Sequence, residues 1–344
     1  MNLSDFNYHL PLELIAQEPS EKRDRSRMMI LDRNIGRITE DVFFNLPEYF
    51  EPGDVVVLND SKVIPARLIG KKETGGSVEI LLLFDKSGGE KPLWESLLKP
   101  GRLMHPGTRI RLDGGAIAKV ITALSENKWL VEFDHADPFD EYIERYGHAP
   151  LPPYIKRPRN ITPSLHDKER YQTIYARIPG SVAAPTAGLH FSKEVIHALQ
   201  AKGVDIASVT LHVGYGTFKP MIASNIEDHR MEEEFYEITH ESMEHINRAR
   251  RVVAIGTTST RVLESAADSA GRIQAASGWT KLFIYPGYRF KRVNILLTNF
   301  HLPKSTLLSL VCAFAGYHPA MEAYRHAVEN RFRFYSYGDC MLIL

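Results

Sequence analysis

The chain has 344 residues, 44% hydrophobic and 24% charged, and its 42 basic side chains balance 42 acidic ones. That length exceeds what one hydrophobic core usually spans, so two domains are expected, of a composition ordinary for a soluble globular protein. A formal charge of zero excludes a dedicated non-specific nucleic-acid binder, and any RNA contact must rest on a local patch. Of the two cysteines, Cys312 sits in an apolar run and suits a buried thiol in a reducing compartment. The N-terminus lacks the basic and apolar stretches of a targeting segment. The longest strongly apolar run, Leu307 to Ala315, is about half of the ~20 residues a membrane helix needs. A cytoplasmic protein is expected.

VVVLND (Val55 to Asp60) reads as a buried strand, with VIPARL leading out of it. Six short strand candidates follow between Arg67 and Phe133: RLIGKKE, SVEILLLF, LWESLLK, TRIRL, AIAKVITAL and KWLVEF. The segments between them are rich in turn residues, and several strands alternate polar and apolar positions. Six antiparallel strands at this spacing predict a small closed barrel, since closure removes exposed edges. FDEYIERY (Phe139 to Tyr146) reads as a short helix, and the Pro-rich HAPLPPYIKRP returns the chain to the first domain. The expected fold is therefore a large α/β domain, residues 1–63 plus 151–344, with a six-stranded antiparallel β-barrel inserted at 64–150. Beyond it, SKEVIHALQAKG has a Ser192 N-cap and a Gly203 stop, HESMEHINRARR is a charged amphipathic helix, and RVVAIG is a buried strand feeding the helix RVLESAADSA. KLFIYPG and NILLTNF are two more strand candidates, and this alternation implies a largely central sheet.

Five segments are almost free of charge and dense in small residues. They are GSVAAPTAGLHF (Gly180 to Phe191), TLHVGYGTF (Thr210 to Phe218), IGTTSTR (Ile255 to Arg261), LTNFHLPKSTLL (Leu297 to Leu308) and YSYGD (Tyr335 to Asp339). Each couples Gly, Pro or small hydroxyl residues to a lone His, Asn, Asp or Arg, as expected where backbone wraps a ligand. With FNYHLPLELIAQEP, RDRSR, VVVLNDSKVIPARL, LPPYI, ERYQTIYA and the closing RFYSYGDCMLIL, these strings closely resemble the S-adenosylmethionine:tRNA ribosyltransferase-isomerase family of queuosine biosynthesis, nearly end to end.

The resemblance implies transfer of the ribosyl part of S-adenosylmethionine to 7-aminomethyl-7-deazaguanine at the tRNA wobble position. The ribose rearranges to an epoxycyclopentane, giving epoxyqueuosine while adenine and methionine leave. The sulfonium acidifies the adjacent carbon, so a positioned base can start the reaction in a site that excludes water. No cofactor is implied, S-adenosylmethionine being a co-substrate; the partner is a tRNA carrying the precursor, with no membrane and a monomer expected. The family also has a small β-barrel at this place in the chain.

The residues offer candidates for this chemistry. IGTTSTR joins a strand to a helix, where free amides, the Thr257, Thr258 and Ser259 hydroxyls and Arg261 form a natural anion site for the methionine carboxylate or an RNA phosphate; simple capping is the alternative. His190, His212 and His301 each end an apolar stretch, and imidazole moves protons near neutrality, although a lone histidine is more often structural. The pairwise spacing a zinc site needs is missing. Asp339 lies among Tyr335, Tyr337 and apolar MLIL, where burial raises a carboxyl pKa unless it is paired, as with Arg331 or Arg333. His190, His301 and Asp339 are the catalytic candidates, with Glu234 and His212 next. The substrate-binding candidates are Arg23, Arg27, Pro185, Thr186, Gly188, His212, Gly214, Gly216, Thr217, Gly256, Thr257, Thr258, Arg261 and Asn299. Interleaved aromatic and basic residues in YIKRPR (Tyr154, Lys156, Arg157, Arg159) and YPGYRFKR (Tyr285, Tyr288, Arg289, Phe290, Lys291, Arg292) suit single-stranded RNA as well as packed surface loops, and KRDRSR is a third basic cluster. Two departures stand out: where the family commonly reads H-x-M-H-x-E, this chain has HRMEEE with Glu232 in place of the second histidine, and Asn294 stands where Asp is favoured. The rival readings are a non-catalytic RNA-binding module and an enzyme like a nucleoside hydrolase or phosphoribosyltransferase, the latter suggested by the strand–GTTSTR–helix element.

Overall fold

The computed structural model describes residues 1–88, 91–125, 127–135, 138–157, 165–218 and 221–344, apart from the side chains of Leu165, Thr217 and Phe218. A hairpin of β1 (Arg27–Asp32) and β2 (Arg37–Val42) precedes β3 (Val55–Asn59), whose five residues are all buried, and the short β4 (Ser61–Val63). The next six strands are β5 (Arg67–Lys72), β6 (Ser77–Asp85), β7 (Leu93–Lys99), β8 (Arg109–Leu112), β9 (Ile117–Ala123) and β10 (Lys128–Asp134). They pair antiparallel in the order β10–β7–β6–β5–β8–β9 and close on themselves, as the spacing predicts. Alternation explains the barrel: in β8 Ile110 and Leu112 point inward while Arg109 and Arg111 are exposed. Helix α1 (Phe139–Tyr146) adds Phe139, Tyr142 and Ile143 to the same core as Ile80, Val131 and Phe133. Strand and return cross at a neck, where Arg67 and His148 exchange backbone hydrogen bonds of 3.2 and 2.8 Å.

The other elements are α2 (Leu165–Arg170), β11 (Ile178–Ser181), α3 (Lys193–Ala201), β12 (Asp205–Leu211), β13 (Glu234–Ile238), α4 (His240–Arg248), β14 (Val252–Ile255), α5 (Gly256–Ala266), β15 (Ala276–Thr280), β16 (Ile295–Asn299), α6 (Thr306–Ala315), α7 (Tyr317–Glu329) and β17 (Cys340–Ile343). Nine strands form one sheet in the order β15–β13–β12–β3–β14–β16–β17–β1–β2. Its central members β12, β3, β14 and β16 run parallel. Continuous apolar runs such as VVAI and ILLTN suit them, because helices cover both faces. Val55 and Val57 pack with Val262, Leu310 and Ala320 of α5, α6 and α7, while Val56 and Leu58 pack with Val195 and Leu199 of α3. Ser192 caps α3 by accepting from the Val195 amide at 3.3 Å, as its sequence indicates.

KLFIYPG is not a strand. The edge strand β15 ends at Thr280; the Leu282 amide then donates to Thr280 Oγ1, and the Leu282 carbonyl accepts from Arg261 Nε. With both backbone groups held by side chains, that segment cannot continue the ladder. The C-terminal ends of β3 and β12 are tied by a different set of side chains. Fully buried Asn59 donates to the Leu211 carbonyl at 3.0 Å and accepts from the Leu211 and Ser61 amides. Ser61 and Ser181 share a 2.6 Å hydroxyl contact, and Ser181 Oγ accepts from the Val213 amide at 2.9 Å. These bonds hold β4 and β11 beside the carboxyl end of β12 and deliver the two loops that follow.

Candidate active site

A cavity of about 170 Å³ lies outside the carboxyl ends of β12, β14 and β16, the usual ligand position in an open α/β sheet. All five uncharged segments reach it. The first supplies Ala183, Ala184, Thr186 and Ala187; the second Val213; the third Gly256, Thr257 and Thr258. The fourth supplies Thr298, Asn299, His301, Leu302, Pro303, Ser305 and Leu307, and the last Tyr335 and Ser336, with Tyr154 completing the wall. No lining residue is Asp, Glu, Lys or Arg. Gly256 has φ 85°, which lets the chain turn directly from β14 into α5; a side chain there would also press on Ala187. The first turn of α5 therefore presents its unpaired amides to the cavity, together with a buried Thr258 hydroxyl that has no hydrogen-bond partner. Tyr335 adopts φ 74°, rare for a residue with a side chain, and its ring lies 3.8 Å from that of Tyr154.

Among the three catalytic candidates, His301 alone lines this cavity. Its Nε2 shares a 2.8 Å hydrogen bond with Thr298 Oγ1, and that hydroxyl also lies 3.2 Å from the Asn299 carbonyl; donation there puts the ring proton on Nε2 and leaves Nδ1 as an acceptor. Burial pushes the imidazole down to about 3 and keeps it neutral. His190 is also buried, pushed down to about 4 by desolvation against an opposing pull from the Asn299 amide; its Nε2 and Asn299 Oδ1 close no hydrogen bond of ordinary geometry. Asp339 plays a structural role, its two oxygens accepting from the Arg27 amide at 3.0 Å and the Arg333 amide at 2.8 Å. Burial raises its carboxyl pKa, and those amides pull it back.

Thr186, Gly256, Thr257, Thr258 and Asn299 join His301 around the cavity; the remaining binding candidates lie behind it or elsewhere. Gly188 lets Tyr175 approach its backbone, where a Cβ would sit 2.0 Å from the phenol oxygen. Pro185 begins the same tight turn, accepting from the Gly188 amide. The His212 ring stacks on Phe235 and lies against Gly180, Gly214 donates to Glu234, and Gly216 backs onto the Glu232 carboxylate. The side chain of Thr217 falls outside the described residues. Arg27 sits over the Phe332 ring and pairs with Glu40. Arg23 binds the Leu189 and Glu169 carbonyls. Tyr154, Tyr335, Ser336 and Thr298 were absent from the candidates, although the uncharged style of YSYGD and LTNFHLP marks three of them; only Tyr154 lies in a segment that reads as basic surface.

Both departures from the family pattern lie away from the cavity. Glu232 pairs with Lys128 of the barrel at 3.5 Å, and Asn294 clips the start of β14 by accepting from the Val252 amide. The loop YPGYRFKR is fixed to α5 by Glu264, which accepts from the Lys291, Arg292 and Val293 amides and from the Tyr288 hydroxyl. Arg289 stays exposed. In YIKRPR, Arg157 is held by Asp167 at 2.8 Å, and Arg159 falls outside the described residues. No group of three or more His, Cys, Asp and Glu among the described residues is arranged to hold a metal ion, and no described helix is long and apolar enough to cross a membrane.

Arg261, a candidate anion ligand, does not line the cavity. It is buried, bonds the Glu234 carboxylate through one terminal nitrogen and the Leu282 carbonyl through Nε, and ties α5 to β13 and β15. Glu234 in turn accepts from the Gly214 amide at 2.9 Å, so the pair supports the second cavity segment from behind. Removing one partner leaves a buried charge uncompensated, at a cost of about 3–5 kcal/mol. Arg261→Met should lower stability to denaturant by that order, and an unfolding curve like that of the unmodified protein would contradict the pairing.

The buried neutral histidines make a second prediction. An unfolded histidine titrates near 6.5, so below that pH the unfolded chain takes up protons that folded His190 and His301 refuse until about 4 and 3. Their stabilisation is present above about 6.5 and is lost as pH falls through that window; Asp339, raised, acts with the opposite sign. The melting temperature should fall between pH 7 and 5, and His190→Gln should flatten the fall. A melting temperature that rises over this range would contradict neutral burial.

Comparison with known proteins identifies the family. A family model described as queuosine biosynthesis protein matches residues 3–343. Proteins named S-adenosylmethionine:tRNA ribosyltransferase-isomerase from Syntrophus aciditrophicus and Carboxydothermus hydrogenoformans are 54% and 53% identical, with both chains covered completely. A crystal structure of an S-adenosylmethionine tRNA ribosyltransferase from Thermotoga maritima matches with a TM-score of 0.56 at 40% identity, covering 99% of this chain and 100% of that one. Matched from end to end, with an uncharged cavity at the strand ends built from the segments that carry the likeness, this chain belongs to the queuosine biosynthesis protein family.

Proposed function

We propose that this protein is an S-adenosylmethionine:tRNA ribosyltransferase-isomerase, acting in the cytoplasm on 7-aminomethyl-7-deazaguanine in the tRNA wobble position and leaving epoxyqueuosine, adenine and methionine. The observation that carries this reading is the meeting of all five uncharged segments in one cavity, in a chain that matches named enzymes of this kind over its whole length. S-adenosylmethionine occupies the cavity. Its carboxylate meets the amides at the start of α5 and the Thr258 hydroxyl, where a helix N-terminus favours an anion. Its sulfonium lies near the paired rings of Tyr154 and Tyr335, since an aromatic face attracts a cation without neutralising it. A carboxylate in that wall would stabilise the sulfonium and weaken the acidity of the adjacent carbon; the wall has none.

His301 receives the proton. Thr298 fixes the tautomer that leaves Nδ1 able to accept, and burial prevents its protonation by solvent. Ala183, Ala184, Ala187 and Val213 exclude water from the reacting ribosyl group. The chemistry needs no metal and no resident cofactor. A binding module has no use for such a cavity, and a nucleoside hydrolase would release adenine without RNA.

Labelled S-adenosylmethionine should give adenine only when precursor-bearing tRNA is present, and a chelator should leave the rate unchanged. His301→Ala should lower turnover by ~10²–10⁴-fold, the usual contribution of a general base, while S-adenosylmethionine still binds. Adenine release without tRNA would refute the assignment; a folded His301→Ala protein with normal turnover would move the proton to another group.

A further inference from the structure

RDRSR contributes no side chain to the cavity, yet Arg23 lies at a second opening. Pro19, Ser20, Arg170, His190, Ser336 and Tyr337 help to line this notch, which has about 250 Å³ of space including its mouth and only about 20 Å³ enclosed. Two guanidinium groups line it, those of Arg23 and Arg170, and a third, that of Arg333, lies behind it on Ser20 and Tyr337; all are bonded to neutral oxygens. Arg23 donates to the Leu189 and Glu169 carbonyls at 3.2 and 2.9 Å. Arg170 donates to the Ser20 and Glu21 carbonyls at 2.6 and 3.2 Å. Arg333 reaches the hydroxyl of the same Ser20 at 2.9 Å and the Tyr337 carbonyl at 2.9 Å.

Among the described residues none of the three pairs with a carboxylate. Asp24 is engaged by Ser192 and Arg25, and Asp339 by two backbone amides. Like charges so placed repel: Arg170 lowers the Arg23 pKa alongside burial, with Glu169 only partly opposing it. The notch also holds two buried donor atoms without hydrogen-bond partners, Arg170 Nε and Tyr337 OH, and the neutral His190 ring closes its inner side. Tyr337 is 4% exposed and His190 3%. Unmatched cations and unused donors around so small an opening describe a receptor for a compact oxyanion. A nucleobase is too large for it. Ser336 lines both this notch and the main cavity, so an anion held here is one residue away from the reacting group.

We propose that Arg23, Arg170 and Arg333 form a subsite for a backbone phosphodiester of the RNA substrate, holding the nucleotide whose base enters the cavity. The subsite rests on the RNA-substrate reading above. Its phosphate is held by the guanidinium groups, with the free Arg170 Nε and the Tyr337 hydroxyl donating to it. In YIKRPR, Arg157 is then peripheral, its charge being matched by Asp167.

The test measures binding of an anticodon stem-loop RNA to the full-length protein over a series of salt concentrations, with S-adenosylmethionine affinity measured separately. Arg23→Gln and Arg170→Gln should each weaken RNA binding by about 10-fold or more, the loss of a hydrogen bond to a charged group. Each should also reduce the slope of log affinity against log salt by about 0.7–1, as one fewer phosphate is neutralised. Arg170→Lys should keep the slope, Arg289→Gln should change neither quantity, and S-adenosylmethionine affinity should stay as it was. Folded glutamine variants with unmodified affinity and slope would overturn the subsite. So would loss of S-adenosylmethionine affinity with RNA binding intact, which would assign the oxyanion to the methionine carboxylate. If either glutamine variant fails to fold, the other carries the comparison. Unmodified protein that does not bind the stem-loop would instead overturn the RNA-substrate reading itself, and the subsite with it.

Discussion

Asn59 and Ser181 set the geometry on which the cavity depends. Where parallel strands end, each chain must leave the sheet while its backbone groups stay paired, because buried unpaired amides and carbonyls are costly. The side chain of Asn59 takes both backbone groups of Leu211, and Ser181 takes the amide of Val213. These bonds satisfy the strand ends with neutral groups. The loops carrying Ala183 to Ala187 and Val213 can then approach one another through neutral groups, while the buried Asp60 beside them is matched by Thr210 and Arg177. The motif VVVLNDSK is therefore a fastening, and it acts on the site through the loops it holds.

Charge is kept one layer behind the wall. Arg261 and Glu234 neutralise each other beneath Gly214, Asp339 is bound by two amides, and Glu264 pins the loop after β15 to α5. Each ionised group gives rigidity to a segment that touches the cavity, while its field is cancelled by its own partners. The cavity wall therefore offers dipoles, aromatic rings and one neutral imidazole. Such an environment holds a sulfonium without quenching the acidity it confers on the neighbouring carbon.

The six barrel strands were legible because alternation and turn chemistry are local. TRIRL shows its inward Ile110 and Leu112 directly, and β8 has that pattern. KLFIYPG misled because its β-like composition is overruled by distant side chains, Arg261 and Thr280, that capture the backbone of Leu282. The uncharged segments announced a ligand site, since Gly, Pro and small side chains in that density suit little else. Their individual roles were not legible. His190 and His301 look alike in sequence, both ending an apolar stretch, and only the three-dimensional path places one on the cavity and the other at the arginine notch. Asp339 reads either as a perturbed acid or as the ion-pair partner of Arg331 or Arg333; its hydrogen-bond partners are the backbone amides of Arg27 and Arg333, which sequence does not display.

Hydrogen exchange with and without S-adenosylmethionine tests the central claim, that the five segments converge to hold this co-substrate. Added ligand should slow exchange at Ala183 to Ala187, at the start of α5, at Asn299 to Leu307 and at Tyr335 and Ser336, and leave β5 to β10 unchanged. Protection confined to the barrel, or absent from the start of α5, would contradict it.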